Sequence, residues 1–241
     1  MIVSHKHKFI VLLAWKTASQ TLLARLHDYN ESEYGSFFEF NSILNRVVSP
    51  HITCADLKSL PESQLKYFSA SFVRNPYDRV YSGFHQLRRD VKLQRKGKFS
   101  SPMVQRLIMS QLQEIETQMA KSDGDFDQWV SLLDELQIIE QGHNTSFVLH
   151  PSHYWTHFNK TQMVDFIGKV ETFETDFGKF CNFCGLRNVL NINENVTELN
   201  PATSHAANGY RYIDRMSKKT IDKINYLFKK DFELFDYLMI D

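Results

Sequence analysis

A run of apolar residues near the N-terminus is followed within a few positions by a helical pattern. Residues 9–14 are apolar and rich in β-branched and aromatic side chains, which is typical of a buried strand. Leu22, Leu23 and Leu26 then recur with helical spacing. Between them lies a short polar segment that contains Lys16. The pattern therefore predicts a strand, a loop and a helix in that order.

A second stretch, residues 71–84, repeats this arrangement. Its apolar part ends at Val73, and Pro76 stands where a first helical turn tolerates proline. Arg74 follows the predicted strand, and Ser82 lies two helical turns later. In open α/β sheets, ligands bind outside the carboxyl ends of the strands. We therefore expect the two loops to face one ligand from two sides.

The first loop has the composition of a phosphate or sulfate site. A loop that enters a helix presents backbone N–H groups near the positive end of the helix dipole. Lys16 adds a mobile cation, and the hydroxyls of Thr17, Ser19 and Thr21 add donors. The alternative is an ordinary strand-to-helix connection whose polar residues cap the helix. The glycines of a Walker A loop are missing, so the residues alone leave both interpretations open.

Both stretches together resemble a known family. The segment Lys16-Thr17-Ala18-Ser19 resembles the 5′-phosphosulfate loop of sulfotransferases that use 3′-phosphoadenosine 5′-phosphosulfate (PAPS), and residues 74–82 resemble their 3′-phosphate segment. The resemblance is closest to the carbohydrate type, which contains the heparan and chondroitin 2-O-sulfotransferases (sulfotransferase family 2). Residues 51–57, 164–171 and 231–237 resemble further family segments in the same order. The resemblance covers nearly the whole chain.

The resemblance implies a fold and a reaction. It implies one α/β domain over residues 1–241, a P-loop-kinase-like three-layer sandwich with a mainly parallel central sheet and a helical insert at about 99–140. PAPS would be the co-substrate, 3′-phosphoadenosine 5′-phosphate (PAP) the product, and a hydroxyl, on a carbohydrate, the acceptor. The residues that would bind the nucleotide are Lys16, Thr17, Ala18, Ser19, Gln20, Thr21, Arg74 and Ser82.

Two positions of the loop depart from the family. Trp15 stands where the family usually has proline before the lysine, and Gln20 where a small residue or threonine is common. Neither change removes a charged group that would contact the ligand. We therefore expect the two departures to affect the shape of the loop more than the activity.

His51 is the candidate catalytic base, together with Lys16 as the second catalytic residue. Thr53 is a suitable N-cap for a helix that runs through Leu60, which places His51 in the preceding loop. Relatives carry a histidine at this place next to the acceptor hydroxyl, and neutral imidazole can accept a hydroxyl proton. His85 and an acidic side chain remain alternatives.

Whole-chain charge and hydropathy narrow the choice of partners. The 241 residues contain 28 Lys and Arg against 28 Asp and Glu, so net charge gives no argument for nucleic acid or an anionic membrane. No apolar run approaches the ~20 residues of a membrane span, and the residues before the first strand do not show the pattern of a cleavable signal. We expect a cytoplasmic protein, or a Golgi-lumenal one if the chain is part of an animal enzyme.

Residues 87–98 form the one basic cluster of the sequence. It is either a solvated face or a docking edge for an acidic acceptor or for the nucleotide phosphates.

No metal is predicted. Cys181 and Cys184 form a C-x-x-C pair, but no second pair follows, so buried helix cysteines are favoured over a redox or metal pair. The histidines of residues 150–157 have no carboxylate or cysteine to complete a ligand set. We expect these side chains to line a sugar or nucleotide cleft instead.

The remaining expectations concern the chain ends and the loops. Residues 1–8 are predicted to be a solvated terminus, residues 37–40 a short strand, and residues 100–121, 126–136 and 217–235 helices. Residues 191–209 lack periodicity and are predicted to be a loop. In the family the corresponding loop folds over the nucleotide, which makes Tyr210 and Arg211 candidates for nucleotide contacts.

Two rival functions remain. A nucleotide-dependent phosphotransferase would need glycines in the first loop and an acidic magnesium ligand after a strand, and neither is evident. A catalytically inactive member of the same fold could bind a nucleotide or a glycan without transferring sulfate.

Overall fold

The computed structural model describes residues 1–35, 39–94, 102–133, 150–187, 189, 192 and 210–241. The chain divides into two compact units. The first contains residues 1–74 and 152–199, and the second contains residues 75–151 and 200–241. The organisation as one domain with a helical insert at about 99–140 stays a prediction.

Short strands and helices follow one another along the described chain. The strands are β1 (Ile2–Ser4), β2 (Phe9–Leu12), β3 (Glu39–Asn41), β4 (Arg46–Val48), β5 (Phe68–Val73), β6 (His157–Phe158), β7 (Thr161–Gln162) and β8 (Phe166–Lys169). The α-helices are α1 (Ser19–Arg25), α2 (Cys54–Ser59), α3 (Pro76–Gln94), α4 (Pro102–Lys121), α5 (Phe126–Ser131), α6 (Phe173–Phe183), α7 (Lys218–Leu227) and α8 (Lys229–Leu234).

The first unit is organised around a four-stranded sheet of order β1-β2-β5-β8. Strands β2, β5 and β8 are parallel, with Val11 opposite Ala70 and Ala70 opposite Phe166. Strand β1 pairs antiparallel to β2 at the edge. The predicted α/β class with a mainly parallel central sheet is confirmed.

Both faces of this sheet are buried, as the unbroken apolar run of β2 predicts. Phe9 and Val11 belong to one core cluster, which includes Leu22 of α1 and Phe180 of α6. Ile10 and Leu12 belong to a second cluster, which includes Cys54 of α2 and Trp155. Successive side chains of a strand point to opposite faces, so one apolar run supplies two cores.

The second unit is helical in its described part. Its core holds large aromatic side chains that are almost fully buried: Tyr77 and Phe84 of α3, Trp129 of α5, Phe228, and Phe232 of α8. The helix predicted over residues 100–121 is observed as α4. In the parts of the chain that the structure describes, no helix is long and apolar enough to cross a membrane.

The N-terminus differs from the expectation. Residues 1–8 were predicted to be solvated, but Ile2 and Val3 form β1 and are almost fully buried. The lysines and histidines of this segment lie in the turn that follows, at His5, Lys6, His7 and Lys8. The prediction was wrong because a three-residue apolar run is too short to show periodicity, whereas pairing with Val11 and Ile10 stabilises it as a strand.

The bounds of three other predicted elements also differ from those in the structure. The predicted helix over residues 217–235 is two helices that meet at Phe228, whose backbone leaves the helical region at φ −114° and ψ 19°. Phe228 buries its ring beneath the Arg79 guanidinium at 5.0 Å, a tertiary contact that periodicity cannot reveal. The predicted strand 37–40 is observed at residues 39 and 40 as part of β3, and residues 37 and 38 lie outside the described residues. Helix α5 ends at Ser131, and residues 134–136 of its predicted extent also lie outside.

Candidate functional site

The loop between β2 and α1 is held together by hydrogen bonds of its own side chains to Ala14, two residues after the end of β2. The Thr17 Oγ1 donates a hydrogen bond to the Ala14 carbonyl at 2.9 Å, and the Ser19 Oγ donates to the same oxygen at 2.7 Å. Lys16 and Ala18 adopt left-handed backbone conformations, with φ of 63° and 62°. A non-glycine residue with such a φ costs on the order of 1 kcal/mol and persists only where its surroundings fix it.

These hydrogen bonds bear on the two interpretations of the loop. Ala18 is the N-cap of α1, and no side chain caps the helix there. Thr17 and Ser19 donate instead to the Ala14 carbonyl at the start of the loop, and the loop makes its left-handed turns at Lys16 and Ala18 without the glycines of a Walker A loop. The polar residues therefore shape the loop that carries Lys16, and they do not serve only as caps of α1.

The predicted nucleotide-binding residues of this loop differ in exposure. Thr17, Ser19 and Thr21 are buried. Lys16 and Ala18 are half-buried, and Gln20 is exposed. Because the hydroxyls of Thr17 and Ser19 hold the Ala14 carbonyl, the structure gives them a part in shaping the loop. Nucleotide binding by these residues stays a prediction.

His51 contacts the same loop. Its Nδ1 lies 2.7 Å from the Leu13 carbonyl oxygen, and its ring stacks on that of Trp15 with centroids 4.0 Å apart and planes 22° apart. A carbonyl oxygen only accepts, so Nδ1 carries the hydrogen and Nε2 carries the lone pair. The structure thus brings two predicted catalytic positions together: His51 lies against the residue that precedes Lys16.

Burial sets the charge of His51. The side chain is 4% exposed. Desolvation lowers the pKa of His51 from 6.5 to about 3, and the positive charge of Lys16 contributes, while the hydrogen bond to Leu13 opposes the shift. His51 is therefore neutral at physiological pH, which is the protonation state that a general base requires.

The turn after His51 is fixed by side chains. Thr53 caps α2, as predicted: its Oγ1 accepts from the Asp56 N–H, and Asp56 accepts from the Thr53 N–H in return. Arg46 of β4 binds the other Asp56 carboxylate oxygen at 2.6 Å. This capping box holds the start of α2 and, two residues before it, His51.

The second predicted binding segment spans both units. Arg74 follows β5 and is half-buried in the first unit, and Ser82 is half-buried on α3 of the second. His85, the alternative base, is exposed one turn further along α3. The pKa of His85 is lowered, mainly by desolvation and then by Arg88, Arg215 and Arg89.

The other candidate positions have structural contacts. The Tyr210 hydroxyl donates to the Leu238 carbonyl at 3.0 Å and accepts from the Leu238 N–H at 3.1 Å. Arg211 is half-buried, and residues 193–209 of the predicted covering loop lie outside the described residues. The Thr156 hydroxyl and His157 Nδ1 are hydrogen-bonded at 2.8 Å.

Across the described residues, no group of three or more metal-ligating side chains comes together.

The C-x-x-C segment forms the C-terminal end of helix α6. Cys181 is buried in the core beside Phe180, and Cys184 is half-buried at the C-cap, just before Gly185, which has a φ of 62°. Desolvation raises the pKa of Cys181 to about 11 and that of Cys184 to about 12. Both thiols are therefore protonated, and a thiol must lose its proton to attack a disulfide or bind a metal.

Comparison with known proteins decides the family. The family model described as the sulfotransferase family matches residues 1–238. The chain belongs to the sulfotransferase family. No curated protein and no solved structure gives a significant match. Membership confirms the predicted sulfotransferase family and supports sulfuryl transfer as its general chemistry, while the carbohydrate type stays a prediction.

Sequence reasoning missed the role of Trp15. The residue was noted only as a departure from the family's proline, whereas in the structure it stacks on His51. Leu13, which accepts the His51 hydrogen bond, was assigned to the buried strand alone. An aromatic residue beside the loop lysine was the available signal, but its partner is 36 positions away in sequence, so the contact is not visible without the fold.

Proposed function

We propose that this sulfotransferase moves a sulfuryl group from PAPS to a hydroxyl of an acidic carbohydrate. The observation that carries the proposal is the contact between His51 and residues Leu13 and Trp15 of the loop that presents Lys16. A neutral imidazole that contacts the loop and a cation on the loop would supply the base and the charge stabilisation that the reaction needs.

The transfer follows from these two side chains. The lone pair of His51 Nε2 takes the acceptor proton while the acceptor oxygen forms a bond to sulfur. The bond between sulfur and the bridging oxygen breaks, and its electron pair leaves with the 5′-phosphate of PAP. Lys16 stabilises the negative charge that develops on that phosphate. The products are PAP and a sulfate ester.

Arg74 and Ser82 are proposed to hold the 3′-phosphate of the nucleotide. A guanidinium donates two parallel hydrogen bonds to a phosphate, and a hydroxyl adds one more. The position of Arg74 directly after β5, a central parallel strand, supports this role, because α/β sheets bind ligands at the carboxyl ends of such strands.

An acidic acceptor is proposed from the surface of the second unit. Arg88 and Arg89 are exposed on α3, and Arg215 is exposed nearby, with its guanidinium 3.2 Å from the Tyr81 hydroxyl. All three arginines lower the pKa of His85, after desolvation, so their positive charges act on the same exposed side chain. Carboxylate or sulfate groups of a glycan would complement this charge. A cytoplasmic location, or the Golgi lumen if the chain is part of an animal enzyme, is proposed on the sequence alone.

Calorimetric titration tests the nucleotide site. PAP and ATP are titrated separately into the wild type and into Arg74→Ala, with Arg106→Ala as the control because Arg106 is an exposed arginine on α4. We expect the wild type and the control to bind PAP in preference to ATP, and Arg74→Ala to lose at least about tenfold in PAP affinity.

The outcomes separate the rival functions. A preference for ATP would favour a phosphotransferase and overturn the proposal. PAP binding without sulfate transfer from PAPS to desulfated heparin, chondroitin or a simple alcohol would identify an inactive binding member of the fold. An Arg74→Ala variant with unchanged PAP affinity would remove Arg74 from the site.

A further inference from the structure

Two residues of the phosphate loop restrain the His51 imidazole in different directions. Leu13 accepts a hydrogen bond from the ring edge at 2.7 Å, and Trp15 covers a ring face with centroids 4.0 Å apart. The two are separated by one residue, and Lys16 follows Trp15 directly. The segment that carries the catalytic cation therefore also holds the base.

The two restraints act together on the imidazole. The hydrogen bond from Nδ1 selects the tautomer with its lone pair on Nε2. The stack fixes the plane of the ring and limits rotation about the Cβ–Cγ bond, which keeps Nδ1 directed at the Leu13 carbonyl; a ring that can rotate loses this hydrogen bond part of the time, and the preference for one tautomer falls with it. The indole face also carries partial negative charge, which attracts the imidazolium that forms when Nε2 takes a proton. This attraction opposes the desolvation and the Lys16 charge that disfavour the imidazolium.

We infer that Trp15 is a positioning residue that acts through His51: its indole face orients the imidazole with Nε2 as the base and stabilises the imidazolium during transfer. The inference rests on the proposed role of His51. Trp15 neither gives nor takes a proton; the acceptor proton moves to Nε2 as the new sulfur–oxygen bond forms and the bond to PAP breaks. Proline, which the family usually carries at this position, has no π face and could not act in this way.

Nitrogen-15 NMR tests the contact without substrate. Two-bond correlations between ring hydrogens and nitrogens distinguish the tautomers of a neutral histidine. The wild type is compared near neutral pH with Trp15→Phe, which keeps an aromatic face, and Trp15→Leu, which fills space without one. A His51→Ala spectrum assigns the His51 signals.

We expect His51 to be a single Nδ1-protonated tautomer in the wild type and Trp15→Phe, and a mixture of tautomers in Trp15→Leu. If Trp15→Leu does not fold, Trp15→Met takes its place as an apolar filler without a π face. A single unchanged tautomer in Trp15→Leu or Trp15→Met would overturn the inference. So would mixed tautomers in the wild type.

Kinetics add a readout that a purely structural role would not move. With PAPS and desulfated heparin, we expect Trp15→Leu to lower kcat roughly tenfold with little change in the KM for PAPS, and Trp15→Phe to recover most of the loss. In a His51→Ala background, Trp15→Leu should add no further loss. An additional tenfold loss there would contradict action through His51. Failure of the wild type to bind PAP would overturn the proposed function, whereas the NMR comparison decides the Trp15 inference by itself.

Discussion

Gly168 of β8 packs directly against the aromatic ring of Phe72 on the neighbouring strand β5. The two residues are register partners in the parallel pair, and both are buried. A Cβ added to Gly168 would lie 2.4 Å from Phe72 Cε1 and 2.7 Å from Cδ1. The ring therefore occupies the space that any larger residue at position 168 would need.

Gly168→Ala is expected to destabilise the protein. Phe72 packs near Phe166 and Phe173, so its ring cannot move aside without disturbing the core. Overpacking of this kind costs about 1–3 kcal/mol in the free energy of unfolding. Urea denaturation measures the change. Gly178→Ala is the control, because Gly178 lies in α6 with no atom within 4 Å of an added Cβ, and it should stabilise slightly. Equal stability of both variants would contradict the packing argument.

Asp231→Asn is expected to destabilise the second unit. Arg79 is fully buried, donates to the His150 carbonyl at 2.7 Å and lies 3.7 Å from the Asp231 carboxylate. Asp231→Asn removes a buried negative charge that lies beside the Arg79 guanidinium, and loss of one partner of a buried ion pair costs about 3–5 kcal/mol. The midpoint of urea denaturation measures the loss.

Glu233→Gln is the matched control for this change. Glu233 pairs with Lys229 on the same helix α8 at 3.7 Å, but both side chains are more than half exposed. An exposed pair contributes at most about 1 kcal/mol, so the control should be nearly as stable as the wild type. A loss as large as that of Asp231→Asn would show that burial is not the cause.

The stability of the wild type should fall as the pH drops below about 6.5. The folded-state pKa of buried His51 is about 3, whereas in the unfolded chain it has the ordinary value of 6.5. Between these values the unfolded state binds the extra proton, so the stability present above pH 6.5 is lost as the pH falls toward 3. The contribution of one group is about 1.4 kcal/mol per pH unit.

His51→Gln isolates this contribution. Urea denaturation of both proteins from neutral pH down to about pH 5 gives the two slopes, and other titrating groups cancel in the difference. We expect the stability of the wild type to decline more steeply than that of His51→Gln. Parallel pH profiles would mean that His51 titrates normally in the folded protein.

Lys16→Ala should abolish most turnover while leaving the fold intact. Lys16 is half-buried at the tip of the loop, and in the proposed reaction it stabilises charge on the leaving phosphate. Loss of such a donor costs about 100- to 1,000-fold in kcat. Sulfate transfer from PAPS is measured beside Lys66→Ala, an exposed lysine of the same unit. Near-normal kcat in Lys16→Ala would remove its catalytic role.

The three cysteines should resist alkylation in the native protein. Burial raises the pKa of Cys54 to about 12, that of Cys181 to about 11 and that of Cys184 to about 12. Each thiolate is then at least about 100-fold scarcer than in the unfolded chain, so iodoacetamide should react correspondingly more slowly. Mass spectrometry before and after urea treatment gives the rates. Rapid native modification of the C-x-x-C pair would favour a redox or metal role instead.

The sequence by itself determined the local framework of the first unit. The apolar run of residues 9–14 predicted β2, and its buried alternation supplies both cores. Thr53 could be predicted as the N-cap of α2, because a capping box depends on two residues three positions apart in the chain. These features were predictable since they rest on near neighbours in the chain.

Tertiary structure decided what lies far apart in sequence. It made β1 from a short N-terminal segment by pairing it with β2, and it divided the last helix at Phe228 by burying that ring. It also placed His51 on Leu13 and Trp15, which fixes the tautomer and charge of the candidate base. The sequence identified Lys16 and His51 as candidates, but protonation depends on burial and on partners that only the folded chain brings together.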